Sequence, residues 1–172
     1  MSKRKLISFL KDLDRSELEE QVMDLYQRFK EVKTFYDFSF NPNEEKCCQE
    51  AKLKISKEYF PETRRRAKKR RSVAQKIFQD LIRLEFNPEL LADLMLFNLE
   101  IAQSYTEENP IKQAAFYPSM LKSYRHAIVY ISENGYQNEF GKRLLNIKDI
   151  AHQQNWPNAK GFDLAIGELL NP

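Results

Sequence analysis

The sequence predicts an all-α protein, a single domain over residues 1–172 with about seven or eight antiparallel helices. These form either a compact bundle or a short stack of helical hairpins of the HEAT or armadillo length class. Three observations carry this. Apolar residues recur at steps of three and four through most of the chain. Only four glycines occur, none of them in the first 134 residues, which removes the positive-φ positions that hairpin turns favour. No segment shows the strict alternation of a half-buried strand.

The elements follow in order. A short helix presents Leu6, Phe9, Leu10 and Leu13 on one side. A longer one, about five turns, carries Leu18, Val22, Leu25, Phe29 and Val32 behind a capping signal, either Asp14-x-x-Glu17 or Ser16-x-x-Glu19. After the aromatic stretch "FYDFSF" and Asn41-Pro42, a third helix carries Cys48, Ala51, Ile55 and Tyr59 and stops at Pro61. Residues 61–71 read as a basic connector. Ser72-x-x-Gln75 is a capping box that would open the next helix, with Val73, Ile77, Phe78 and Leu81 inward. Starting there spares the positive end of the helix dipole a crowd of cations.

Asn87-Pro88 opens "ELLADLMLFNLEIAQSY", apolar around most of its circumference and therefore expected at the centre of the fold. Asn109-Pro110 opens the following region, in which Pro118 kinks or starts a helix that Gly135 ends. "NEFGKRLLNIKDIAHQQN" and, after Trp156-Pro157, "AKGFDLAIGELL" supply the last two helices. The Asn-Pro pairs at 41, 87 and 109 suit an Asn cap followed by Pro at the first helical position, and their intervals are the basis for the helical-repeat alternative.

Charge is unevenly placed. Residues 1–83 hold 21 basic and 14 acidic side chains, whereas 84–172 hold 7 and 11. "RRRAKKRR" at 64–71 contributes seven cations, so without it the net charge of +3 becomes 3 − 7 = −4. Cys47 and Cys48 are adjacent, a spacing that strains a disulfide and matches no zinc pattern, and a reduced, cytoplasmic compartment is the expectation. The opening "MSKRKLISFLKDL" is too short and too polar-flanked for a signal peptide, and no run of 18 apolar residues occurs. No membrane partner is expected.

Four stretches, "EEQVMDLYQRFKEVKTFYDFSFNP", "AKLKISKEYFP", "RRSVAQKIF" and "LADLMLFNLEIAQSY", span most of residues 19–105. On them the chain resembles an uncharacterised family of bacterial all-helical proteins, known only as a domain of unknown function. The resemblance implies a helical fold and assigns no activity, cofactor or site.

Sites of chemistry are sparse. His126 and His152 lack the Glu-x-x-His spacing of di-iron bundles, and Asp149-x-x-His152 is at most a two-ligand pattern. Asp93 and Glu100 share a face with Glu89 and Glu107; such a stripe is expected to be solvated or paired with cations rather than catalytic. Cys48 and Cys47 are expected to divide between core and flank, since neighbouring helical positions diverge by about 100°. A helix-turn-helix over the last two helices is disfavoured by Asp163 and Glu168 on the would-be recognition helix. No catalytic, cofactor or metal residue is assigned.

The expected function is therefore a non-catalytic binding module. Arg64, Arg65, Arg66, Lys68, Lys69, Arg70 and Arg71 would contact RNA, DNA or another polyanion, with Lys3, Arg4 and Lys5 as an extension. Seven phosphate contacts would give log affinity a slope of about −5 to −6 against log salt. The alternative is a protein-interaction adaptor whose basic segment docks on an acidic protein surface. Within the molecule itself, the run either folds over the stripe Glu89, Asp93, Glu100 and Glu107 or is a solvated loop.

Overall fold

The structure, a computed structural model, describes residues 2–63 and 66–170, the side chains of 168–170 excepted. The described residues hold nine helices and no strand, one or two helices more than expected. They group into two compact units, Met1–Asn43 and Glu44–Pro172.

The first unit contains α1 (Ser2–Asp12), α2 (Arg15–Arg28) and α3 (Lys30–Phe40). Of the two capping alternatives, Asp14 is the one used. Its Oδ1 accepts the Glu17 N–H at 2.9 Å, and Glu17 Oε2 accepts the Asp14 N–H at 2.9 Å. The expected five-turn helix is interrupted at Phe29, which adopts extended backbone with φ −116° and ψ 115°. The chain then re-enters helix through "FYDFSF". The break lets α2 and α3 pack on each other: Tyr26 Oη donates to Asp37 Oδ1 at 2.6 Å, and the Tyr26 and Tyr36 rings lie 6.4 Å apart. No residue of these three helices is buried.

The second unit comprises α4 (Glu44–Tyr59), α5 (Arg71–Arg83), α6 (Pro88–Glu108), α7 (Phe116–Glu133), α8 (Gln137–Gln153) and α9 (Ala159–Leu170). As its sequence demands, α6 lies at the centre and packs against α4, α5, α7 and α8; α9 lies across α7 and α8. Leu91, Leu94, Leu96 and Leu99 on α6 are fully buried, each contributing about 1.5–3 kcal/mol of transfer free energy. Cys48, Ala51, Ile55 and Tyr59 of α4 complete that contact, and all four are buried. Tyr124, Phe162, Trp156 and Phe116 form an aromatic cluster beneath α7 and α9.

Helix ends divide into legible and illegible. Asn87 caps α6 through Oδ1, which accepts from the Glu89 and Leu90 N–H groups, with Pro88 at the first helical position. The other two Asn-Pro pairs do not open helices. Asn41 is the C-cap of α3 and Asn109 that of α6, so the shared dipeptide marks ends as well as starts, and the helical-repeat argument built on it falls away. Pro118 lies in the first turn of α7, where its missing N–H costs nothing. Gly135, at φ +77°, ends α7 through paired bonds from Gly135 N–H to Ser132 O and Tyr136 N–H to Ile131 O. The same pairing ends α5 at Glu85 and α8 at Asn155, both at positive φ without a glycine.

Candidate polyanion interface

The connector between α4 and α5 is built on one carboxylate. Glu58, in the last turn of α4, has a side chain only 11% exposed. Its backbone carbonyl accepts the Lys69 N–H at 2.9 Å. Its Oε2 accepts Arg70 N–H at 3.2 Å and Arg70 Nε–H at 3.0 Å, while Oε1 accepts Arg70 Nη2–H at 2.7 Å. Lys69 sits at φ +53°, the left-handed turn that brings both N–H groups toward Glu58. The hydrogen bonds from Arg70 hold the Glu58 carboxyl below its ordinary range, against the opposing push of burial.

This geometry corrects the start of α5. The helix begins at Arg71 with Arg70 as its cap residue, and no side chain caps it, so the Ser72-x-x-Gln75 box is not formed. Gln75 Nε2 is buried without a partner. The cations at the positive helix end are tolerated for two reasons. Glu58 supplies a negative charge there, and Arg71 turns its guanidinium away to donate from Nε to Ser123 Oγ on α7 at 2.9 Å. Burial lowers the Arg71 pKa from its ordinary value, and together with the Arg71 charge it also lowers that of His126, one turn from Ser123.

The seven cations read from the sequence therefore separate. Arg64 and Arg65 lie outside the described residues. Arg66 and Lys68 are exposed. Lys69 Nζ donates to Ala67 O at 3.2 Å and sits 5.4 Å from the centre of the Tyr105 ring. Arg70 is clasped by Glu58 and Arg71 by Ser123. Three of the five described members are thus bonded to their own protein, although the Arg70 side chain stays 52% exposed.

Beside them, Arg71, Ser72, Gln75, Lys76, Gln79, Asp80 and Arg83 line an open depression of about 550 Å3 along α5. Lys76 and Arg83 were not singled out in the sequence. The available signal was the helix face itself, because 72, 76, 79 and 83 recur at steps of three and four. Arg83 Nη1 lies 3.7 Å from Asp80 Oδ1, so one carboxylate interrupts the cationic face.

At the middle of the acidic stripe on α6, Asp93 and Glu100 are taken by cations from outside the run. Asp93 is held by Lys52 Nζ at 2.6 Å and by Arg143 Nη1 at 2.6 Å. Glu100 takes a two-pronged grip from Arg143 Nε and Nη2, each at 2.8 Å. Burial pushes the Asp93 carboxyl up, and the bonds and charges of Lys52 and Arg143 outweigh it, leaving the pKa below its ordinary value. Such a carboxylate stays ionised and occupied, which suits neither a general acid nor a poised base.

Remaining candidates are likewise engaged. His152 Nε2 lies 2.8 Å from Asp163 Oδ2, while Asp149 pairs with Lys148 at 2.9 Å, so the Asp149-x-x-His152 pair is not assembled. Among the described residues no group of three or more His, Cys, Asp or Glu converges in a way that could hold a metal ion. Cys48 is buried and Cys47 half-buried, as their spacing implied, and burial pushes both thiols up, away from reactive thiolate. No helix among the described residues is long and apolar enough to cross a membrane.

Comparison with known proteins adds one finding. A family model described as a family of unknown function (DUF6155) matches residues 1–169. No curated protein and no solved structure matches the chain.

Proposed function

The chain belongs to that family of unknown function, and we propose that it is a non-catalytic helical module that binds nucleic acid or another polyanion along the connector and the outer face of α5. The supporting observation is that exposed Arg66 and Lys68 stand within five residues, along the chain, of a depression on α5 lined by Arg71, Lys76 and Arg83. Glu58 already occupies the positive end of α5, so side chains rather than the helix terminus meet the ligand. Lys69, Arg70 and Arg71 serve as anchors that fix the connector, and Arg66, Lys68, Lys76 and Arg83 as the contacts.

That division changes the expected salt dependence. The four described contacts give log affinity a slope of about −3 to −4 against log salt, and Arg64 and Arg65, outside the described residues, add about 1.5 to it if both also meet phosphates. The test is fluorescence anisotropy of mixed-sequence RNA and DNA oligonucleotides over a salt series. Arg66→Ser/Lys68→Ser should weaken binding and reduce the slope by about 1.5. Equal affinity and slope for that variant and the wild type would sink the reading. Absent nucleic-acid binding, together with polyglutamate binding that this variant loses, would narrow the polyanion to an acidic polypeptide and so support the adaptor whose basic segment docks on an acidic protein.

A further inference from the structure

A second surface carries a different chemistry. In α1, Leu6, Ile7, Phe9 and Leu10 are 53, 46, 47 and 38% exposed, although together they form one apolar face. At 100° per residue they fall within an arc of roughly 160°. The cations are placed at its margins. Arg4 and Lys11 project beside the Ile7 edge and Lys5 beside the Phe9 edge. Lys3 lies over the apolar face at its first turn, on a stem long enough to carry its ammonium outward. With Asp12 as the single acid, α1 carries 4 − 1 = +3.

We propose that α1 docks on the surface of an anionic lipid bilayer, its apolar face entering the boundary between headgroups and acyl chains while the flanking cations meet lipid phosphates. Charge complementarity favours this occupant over α1 of a second copy and over a nucleic acid. A second copy of α1 would match apolar face to apolar face but bring two rims of like charge together. A nucleic acid would satisfy the cations and leave four apolar side chains in water. The helix lies on the membrane rather than crossing it, because its 11 residues extend about 16 Å against a hydrocarbon core of about 30 Å.

The experiment is co-sedimentation of the full chain with vesicles of phosphatidylcholine alone and of phosphatidylcholine with about one-third phosphatidylglycerol, the mixture chosen for its surface potential. No residue of α1 is buried, so substitutions there leave the fold in place, which circular dichroism verifies. The wild type should partition onto anionic vesicles and far less onto neutral ones. Leu6→Ser/Leu10→Ser and Lys5→Gln/Lys11→Gln should each weaken partitioning about tenfold or more, while Arg66→Ser/Lys68→Ser leaves most of it. Failure to sediment with anionic vesicles would overturn the proposal. So would undiminished binding by Leu6→Ser/Leu10→Ser, which would indicate simple adsorption of cations. A dimer by light scattering that the same variant dissociates would assign the face to a second copy instead.

Discussion

Replacing Arg143 with methionine isolates the charge that joins α8 to α6. Methionine keeps an unbranched stem over Phe140, whose ring centre lies 5.7 Å from the guanidinium, and removes three charge-assisted hydrogen bonds of 2.6 to 2.8 Å. Asp93 retains Lys52, but Glu100 is left at 32% side-chain exposure without its two-pronged partner. An exposed pair is worth about 0–1 kcal/mol, and breaking a fully buried one costs about 3–5. At one-third exposure the loss should be about 2 kcal/mol. For a chain of this length that lowers Tm by about 4–8 °C.

The assay is urea and thermal denaturation of R143M, E100M and the double variant. R143M/E100M should recover about half of the loss, since the stranded carboxylate is gone. The pH dependence gives an independent signature. Because the folded pKa of Asp93 is depressed, its stabilisation is complete above the unfolded value near about 4 and is lost as pH falls through the folded one. R143M should flatten that acid limb. Stability of R143M within about 0.5 kcal/mol of wild type, or a double variant no better than R143M, would refute the claim that this clamp stabilises the helix pair.

Three further outcomes follow from named contacts. Glu58→Gln should cost about 1–2 kcal/mol by weakening a charge-assisted grip, and trypsin should then cut the connector several-fold faster; unchanged cleavage would detach Glu58 from connector order. Its stabilisation is also of the acid-sensitive kind, present above the unfolded value of about 4.3 and lost as pH falls below it. Glu85→Gly should stabilise by about 0.5–1 kcal/mol in urea unfolding, because a non-glycine residue is held at φ +54°, and Gly135→Ala at φ +77° should destabilise by a similar amount. Asn87→Ala should cost about 1 kcal/mol as the loss of a working cap, whereas Ser72→Ala should fall within about 0.5 kcal/mol of neutral because Ser72 caps nothing.

The sequence by itself determined what depends on periodicity and local chemistry. The step of three and four placed Cys48, Ala51, Ile55 and Tyr59 on the buried face of α4, and the apolar circumference of α6 placed that helix at the centre. Asn87 and Gly135 announced their helix ends, and Asp14 did so as one of two candidates beside Ser16, because each acts on backbone groups within a few residues of itself. It did not determine the break at Phe29, where a residue with no turn preference is extended so that Tyr26 can reach Asp37 eleven positions away. Nor did it reveal the ends at Glu85 and Asn155, where positive φ is imposed without glycine. The tertiary structure alone decided which of the described cations are bonded to the protein and which are left in solvent. Seven adjacent charges look equivalent in a string, but Glu58 is twelve residues from Arg70 and Ser123 is fifty-two from Arg71. Partner choice over such distances follows from how α4, α5 and α7 pack, and it tied three of the five described cations of the run to the protein and left Arg66 and Lys68 facing outward.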